Sequence, residues 1–323
     1  MTLHVTNGDS AAQLLREAGF GGTILPWRDV LHEGPVPAGP QLDELSELRA
    51  RYLAARGWGT LDELRTSFFH RNTTLRNWGR YDGMLLWFEH DLYDQLQILQ
   101  ILDYLARNHV RGASLSMICI GNHPDVSDFR GLGDLTPEQI LPLYDRRERI
   151  TEGMLRLARE AWAAFRDADP RRVERLIAGN TTPLPFLGAA LVRHLEQLPS
   201  TFNGLGRTEH HALVGIASGV TDSAQLFIAH EAQEEAPFVG DWSFWAALRD
   251  LAGGTHPLLQ IHGDFPKATL TLSPDGADVV SGDRDAIALR GVRRWLGGIH
   301  LCGGSAEWRW DGDSKRVVHC HNQ

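Results

Sequence analysis

The sequence predicts an α/β protein. It has a Rossmann-like three-layer N-terminal domain built on a parallel sheet, a helical middle segment and a winged-helix-like α+β C-terminal domain. Three observations lead there. Short apolar runs alternate with amphipathic helix patterns through the first 125 residues, and strands joined by helical crossovers make parallel sheets. The runs are apolar throughout rather than alternating, as strands buried on both faces are. Towards the C-terminus, three helix patterns precede a two-strand pattern, which is the order of a winged helix. The expected boundaries are residues 1–135 for the α/β domain, 136–200 for a linker or cover segment and 201–323 for the last domain.

The elements follow in order. Leu3–Thr6 is the first strand and breaks at Asn7-Gly8-Asp9-Ser10. Ser10 with Gln13 reads as a capping box that starts a helix near Ala11, and Gly19 stops it. Thr23–Trp27 is the second strand. A Gly/Pro-rich loop runs from Arg28 to Pro40. Helices are expected from Leu42 to Arg56 and, behind a Thr60/Glu63 capping box, from Leu61 to Trp78. Met84–Phe88 is the third strand and ends in Glu89-His90-Asp91. A helix with the stripe Leu92, Leu96, Leu99, Leu102 and Leu105 comes next. Leu115–Ile120 is the fourth strand and ends in Gly121-Asn122-His123-Pro124.

Residues 126–200 read as helical. Thr136 and Gln139 cap one helix, Ile150–Phe165 is a long amphipathic one, and Pro183–Leu198 holds another. Helices are then expected at Glu209–Ala217, Ser223–Ala232 and Trp242–Leu251. Strands follow at His256–Ile261 and Ala268–Leu272, with a turn at Ser273-Pro274-Asp275-Gly276. A closing hairpin pairs Arg316–His319 with either Ile299–Cys302 or Glu307–Trp310, turning at Asp311-Gly312.

At 323 residues, about two domains are expected. With 42 % hydrophobic and 23 % charged residues, a disordered tail, a collagen-like fibre and a coiled-coil rod are excluded. Lys plus Arg total 32 against 41 for Asp plus Glu, a formal charge of −9. That balance gives no support for phosphate-backbone binding. The opening MTLHVTNGDS has neither a basic nor an apolar leader region, and the cysteines number 3. The expected location is a reducing cytoplasm. No run of apolar residues is long enough to span a membrane.

Ligands of open α/β sheets bind beyond the carboxyl ends of the strands. Here those ends are all polar: Asn7, Asp9 and Ser10; Arg28 and Asp29, with His32 and Glu33 behind; Glu89, His90, Asp91, Asp94 and Gln95; Asn122, His123 and Asp125. His90, Asp91 and Asp9 are the candidate catalytic groups. Asn7, Ser10, Arg28, Asp29, Glu33, Asp94, Gln95, Asn122 and His123 are the candidate binding groups. The carboxylates Asp9, Asp29, Glu89, Asp91 and Asp94 suit a divalent metal such as Mg²⁺, bridged to a phosphate that Arg28, Arg76 or Arg80 would also hold. His90 is the natural acid/base candidate. The same residue types are also ordinary caps and turn formers. There is no GxGxxG and no Walker loop. Gly8-Asp9-Ser10 suggests a serine nucleophile, but nothing in the sequence pairs it with His90 or His123. His300, Cys302, His319, Cys320 and His321 have the ligand types for zinc without its spacing.

The expected function is binding or transforming a small anionic or nucleotide-like ligand at the strand-end face. The alternative is a winged-helix-type regulator or protein-interaction module. Residues 201–323 carry 10 Lys plus Arg against 15 Asp plus Glu, the reverse of a DNA-reading wing. Arg290, Arg293 and Arg294 form one basic cluster, expected on a helix. A small molecule is therefore the expected partner ahead of nucleic acid, with a protein partner as the role open to the C-terminal domain.

Residues Leu3–Ser10, Trp27–Val36 and Glu89–Gln97 resemble blocks of a bacterial family catalogued as domain of unknown function 1835. The resemblance covers roughly the first 125 residues. Gly204–Glu209 and Gly240–Trp245 are similar to longer members. It implies no activity and no catalytic assignment.

Overall fold

The computed structural model describes residues 1–108 and 114–320. The N-terminal part runs β1 (Thr2–Thr6), α1 (Asp9–Glu17), β2 (Thr23–Pro26), a two-residue β3 (Gly34–Pro35), α2 (Leu42–Ala55), α3 (Leu61–Arg76), β4 (Gly83–Glu89), α4 (Leu92–Arg107) and β5 (Ser114–Ile120). All four expected strands are present and pair in parallel in the order β2-β1-β4-β5. β4 is central and buried along its whole length. That explains its unbroken apolar run: a strand covered on both faces has no solvent side to make polar.

The helix starts show which local signals were decisive. Thr60 and Thr136 accept the N3 backbone N–H as expected, with Glu63 and Gln139 reaching back. Asp91 caps α4, its Oδ1 accepting the Asp94 N–H at 3.0 Å. The Ser10/Gln13 box does not form. α1 starts at Asp9 with Gly8 as its cap and no side-chain cap bond. Gln13 instead donates to Glu17 at 2.8 Å, one turn further on.

The middle segment holds α5 (Pro137–Ile140), β6 (Glu148–Arg149), α6 (Glu152–Phe165), α7 (Arg171–Ile177) and α8 (Leu187–Leu195). Its expected all-helical character is corrected by β6, which pairs antiparallel with β5 as a fifth strand. The helix expected over Pro183–Leu198 is shorter, because Thr181–Pro185 forms a turn before it. α6 and α8 pack on α4 and cover that face of the sheet. α4 is thereby buried nearly all round, which places Gln95, Gln97 and Gln100 inside the protein.

The last part contains α9 (Arg207–Ala217), α10 (Ser223–Glu231), α11 (Asp241–Ala252), β7 (Leu259–His262), β8 (Thr269–Leu272), α12 (Pro274–Ser281), α13 (Ala286–Arg290), β9 (Val292–Gly297), β10 (Ile299–Gly303), β11 (Trp308–Asp311) and β12 (Arg316–His319). β7 and β8 form the expected antiparallel pair. Three expectations are corrected here. Ser273-Pro274-Asp275-Gly276 is not a turn: Ser273 Oγ accepts the Gly276 N–H at 2.9 Å and Pro274 opens α12. Ser followed by Pro serves a helix start as well as a turn. Arg290 ends α13, and Arg293 and Arg294 lie on β9 rather than on a helix. β10 pairs with β9, so the closing hairpin is β11 with β12. That pairing separates His300, stacked on Trp295, from His319, which meets Glu307. His321 lies outside the described residues.

β3 pairs in parallel with β9, tying the N-terminal loop to the C-terminal part. One apolar cluster continues from Leu3 through Trp162 and Leu213 to Val317. Among the described residues, no helix is long and apolar enough to cross a membrane.

Candidate functional site

The parallel strands put Asn7, at the end of β1, beside Glu89, at the end of β4. Asn7 Nδ2 donates to Glu89 Oε1 at 3.1 Å and to Asp94 Oδ2 at 3.2 Å. The Glu89 backbone N–H donates to Asp94 Oδ2 at 2.6 Å. Gln95 Nε2 donates to the Glu89 carbonyl at 2.7 Å, and the Cys119 thiol of β5 donates to the same oxygen at 3.3 Å. The first turn of α4 is thus folded back over the end of its own strand. The cap that starts the helix also aims Asp91 and Asp94 at Glu89.

Glu89, Asp91 and Asp94 are all buried, and they offer carboxylate oxygens that lie within 4.8 Å of one another. No ion pair reaches any of them among the described residues. Burial, reinforced by the Asp91 charge, pushes the Glu89 carboxyl up to about 8. Burial pushes Asp91 up to about 7. Asp94 is raised well above the usual carboxylate range by burial and by both neighbours. Its Oδ1 has no hydrogen-bond partner. Such a trio holds protons near neutrality or neutralises itself on a cation.

A strap closes over the trio. The Leu132 N–H donates to Glu89 Oε1 at 2.6 Å. A Cβ at Gly131 would meet Glu89 Oε2 at 2.7 Å, so a larger residue here would push the carboxylate aside. Cys119, Gly131 and Leu132 were not among the sequence candidates. Gly131-Leu132-Gly133 carries no chemical signature, and Cys119 stands before the polar strand end.

The remaining candidates go elsewhere. Arg28, at φ 56°, reaches Asp9 with Nε to Oδ2 at 2.9 Å and Nη2 to Oδ1 at 2.6 Å, an exposed pair near the site's rim. Ser10 is exposed beside Gly133. His90 is half-buried against Phe186 and the Glu235 backbone, with burial lowering its pKa. Asp29 is sealed between Arg49 (2.9 Å) and Arg71 (3.4 Å), all three fully buried. His123 is buried against the Gln139 carbonyl and the Asp125 N–H. Asn122 and Asp125 are exposed. Glu33 leaves the face altogether, accepting from Tyr52 at 3.2 Å and Ser243 at 2.6 Å.

A second cation-sized group, His211, His230 and Glu234, was not foreseen, although His230 and Glu234 stand one helical turn apart. Arg193 grips both Glu234 oxygens at 2.7 Å, so that carboxylate's charge is already matched. The arginine also repels a dication from the same spot.

No family model matches the chain, and no curated protein matches it either. The likeness to domain of unknown function 1835 therefore rests on the quoted sequence stretches alone. Two of them supply Asn7 and the Glu89–Gln95 cluster.

Proposed function

We propose that the chain binds or transforms a small anionic or nucleotide-like ligand at the carboxyl ends of β1 and β4, through a divalent cation held by Glu89, Asp91 and Asp94. The observation that carries this reading is the buried trio without a cationic partner among the described residues, with one Asp94 oxygen left bare. A dication held there would offset two of the three carboxylate charges and would supply Lewis-acid stabilisation to phosphate oxygens. Asn7 holds the trio's geometry, and the Asp9–Arg28 pair lies at the rim, where the arginine can turn to the ligand. His90, next in sequence to Glu89 and kept neutral by burial, is the candidate base. The β2-β1-β4-β5 order with its helical crossovers supports a Rossmann-like reading of this half.

The test is thermal unfolding with Mg²⁺ or Mn²⁺, with and without a nucleotide. At about 100 times the dissociation constant, bound cation adds near 2.7 kcal/mol, a shift of a few degrees. The shift should vanish in Asp94→Asn. No shift in the wild-type protein, or an equal shift in the variant, refutes the reading.

A second reading draws on α9–α11 followed by the β7–β8 hairpin, which supports a winged-helix-like module for a protein partner. The acidic balance of residues 201–323 speaks against DNA.

A further inference from the structure

A cleft of about 1100 Å³ opens where the N-terminal loop and α2 face α11, α13 and the β9–β10 pair. It is a different place from the carboxylate trio, and its charge is opposite. Five arginines line it: Arg56, Arg249, Arg290, Arg293 and Arg294, against the acids Glu33, Glu209 and Asp250. In a chain of net charge −9 this local excess of cations is unusual.

How those arginines are partnered matters more than their number. Arg56 is matched by Asp250 at 2.9 Å, and Arg294 by Glu209 at 2.9 Å. Arg290 donates only to backbone carbonyls, those of Leu251, Asp250 and Gly253. Carbonyls satisfy its hydrogens without an ion pair, and the charges of Glu209 and Asp250 act on it only from further off. Arg249 lies over the rings of Trp242 and Phe265 and has no carboxylate partner among the described residues. Arg293 is exposed on β9 and makes no ion pair among the described residues. The Nε atoms of Arg56 and Arg294 are buried without an acceptor.

The cleft also contains uncharged and acidic polar groups. His32 lines it, is fully buried, and has no hydrogen-bond partner on either ring nitrogen among the described residues. Burial and the charges of Arg49 and Arg193 hold the ring neutral, so it offers one donor and one acceptor. Beside it in sequence, Glu33 gathers the Tyr52 and Ser243 hydroxyls. An imidazole left bare in the interior is costly unless something polar meets it.

We propose that this cleft binds a phosphate-bearing small molecule, without a metal. The arginines of β9 and α13 would hold the phosphoanion, and His32 would meet the polar body of the ligand. Guanidinium groups suit phosphate because their forked N–H donors match its oxygens. The volume admits a sugar phosphate or a mononucleotide.

The test is calorimetric titration of the full chain with inorganic pyrophosphate in chelator-containing buffer. Chelator removes the trio's cation, so cleft binding and failure of the strand-end reading are read separately. The wild-type protein should bind pyrophosphate, more weakly as salt rises. Arg293→Glu should lower the affinity by about tenfold or more, and Arg293→Lys by less. Arg293 is exposed, so neither variant threatens the fold. AMP and glucose 6-phosphate form the second arm. If either binds more tightly than pyrophosphate and retains the loss in Arg293→Glu, an ester is the occupant; if pyrophosphate binds more tightly, it is the free phosphoanion. Absence of binding by all three probes at millimolar concentration overturns the proposal. Undiminished binding in Arg293→Glu does so as well.

Discussion

Two buried charge clusters sit past the ends of two strands of one sheet, β2 and β4, which β1 separates, and have opposite composition. Past β2, Asp29 lies between Arg49 and Arg71, with Arg71 also stacked between Trp27 and Phe68. Past β4, Glu89, Asp91 and Asp94 face one another without a cation among the described residues. Both are polar, buried and at strand ends, so position does not distinguish them. Charge balance does. A guanidinium cannot shed its charge in a protein, so Arg49 and Arg71 need Asp29 permanently. Burial lowers Arg71 only to about 10, well above neutrality. Carboxylates can take up protons or a metal, so the trio has a choice that the Asp29 cluster lacks. The first arrangement is structural and the second is adaptable.

The largest effect should come from breaking the structural cluster. Asp29→Ala leaves two buried guanidiniums facing each other and should cost about 3–5 kcal/mol, measured by urea unfolding. A loss below about 1 kcal/mol would erase the distinction between the clusters.

The pH profile sharpens it next. Glu89 and Asp91 have folded pKa values of about 8 and about 7, above their unfolded values. Between those limits the folded state holds more protons than the unfolded one. The stability they contribute is complete below about pH 4 and is lost as pH rises through 7 to 8. The slope approaches about 1.4 kcal/mol per pH unit for each proton released. Saturating Mg²⁺ should flatten this alkaline limb. The buried histidines act in the opposite sense. His32 is lowered to about 3, and His194 and His230 to about 4, so their contribution is present above pH 6.5 and lost as pH falls towards 4. Chemical denaturation from pH 4 to 9 should therefore show a maximum near pH 6–7 in chelator. A flat alkaline limb without metal would contradict the trio's shared burial.

A smaller effect is expected from Asp94→Asn. It keeps an oxygen for the Glu89 N–H while removing one of three like charges. In metal-free buffer at pH 8 the variant should be more stable than wild type by about 1–2 kcal/mol. Greater stability together with lost cation binding would be the signature of a site held at the expense of the fold. The smallest effect belongs to Asp9→Ala. Its pair with Arg28 is exposed, with side chains 68 % and 45 % accessible, and should be worth less than about 1 kcal/mol. A larger loss would move Asp9 into the structural class.

Much of the frame could be read in advance. β1, β2, β4 and β5 were visible because each is a short apolar run closed by polar or turn-forming residues, and such runs bury both faces. The Thr60 and Thr136 boxes were visible because a cap acts within its own turn. Asn7, Asp91, Asp94 and Gln95 were found by the strand-end rule, and the structure brings these four together around Glu89. The same rule also selected Asp29, Asn122 and His123, and geometry takes them elsewhere. Ser10 misled because Gly8 and the strand exit already set the helix start two residues earlier.

Sequence by itself determined the elements whose causes are local: apolar period, caps and turn residues act within about four positions along the chain. Tertiary structure decided the rest. It brought Leu132 onto Glu89 across 43 residues and β9 alongside β3. It gave Asp29 two cations and Glu89 none among the described residues. The state of a buried charge depends on whatever lies within about 4–6 Å of it, and that neighbourhood is assembled from segments far apart in the chain.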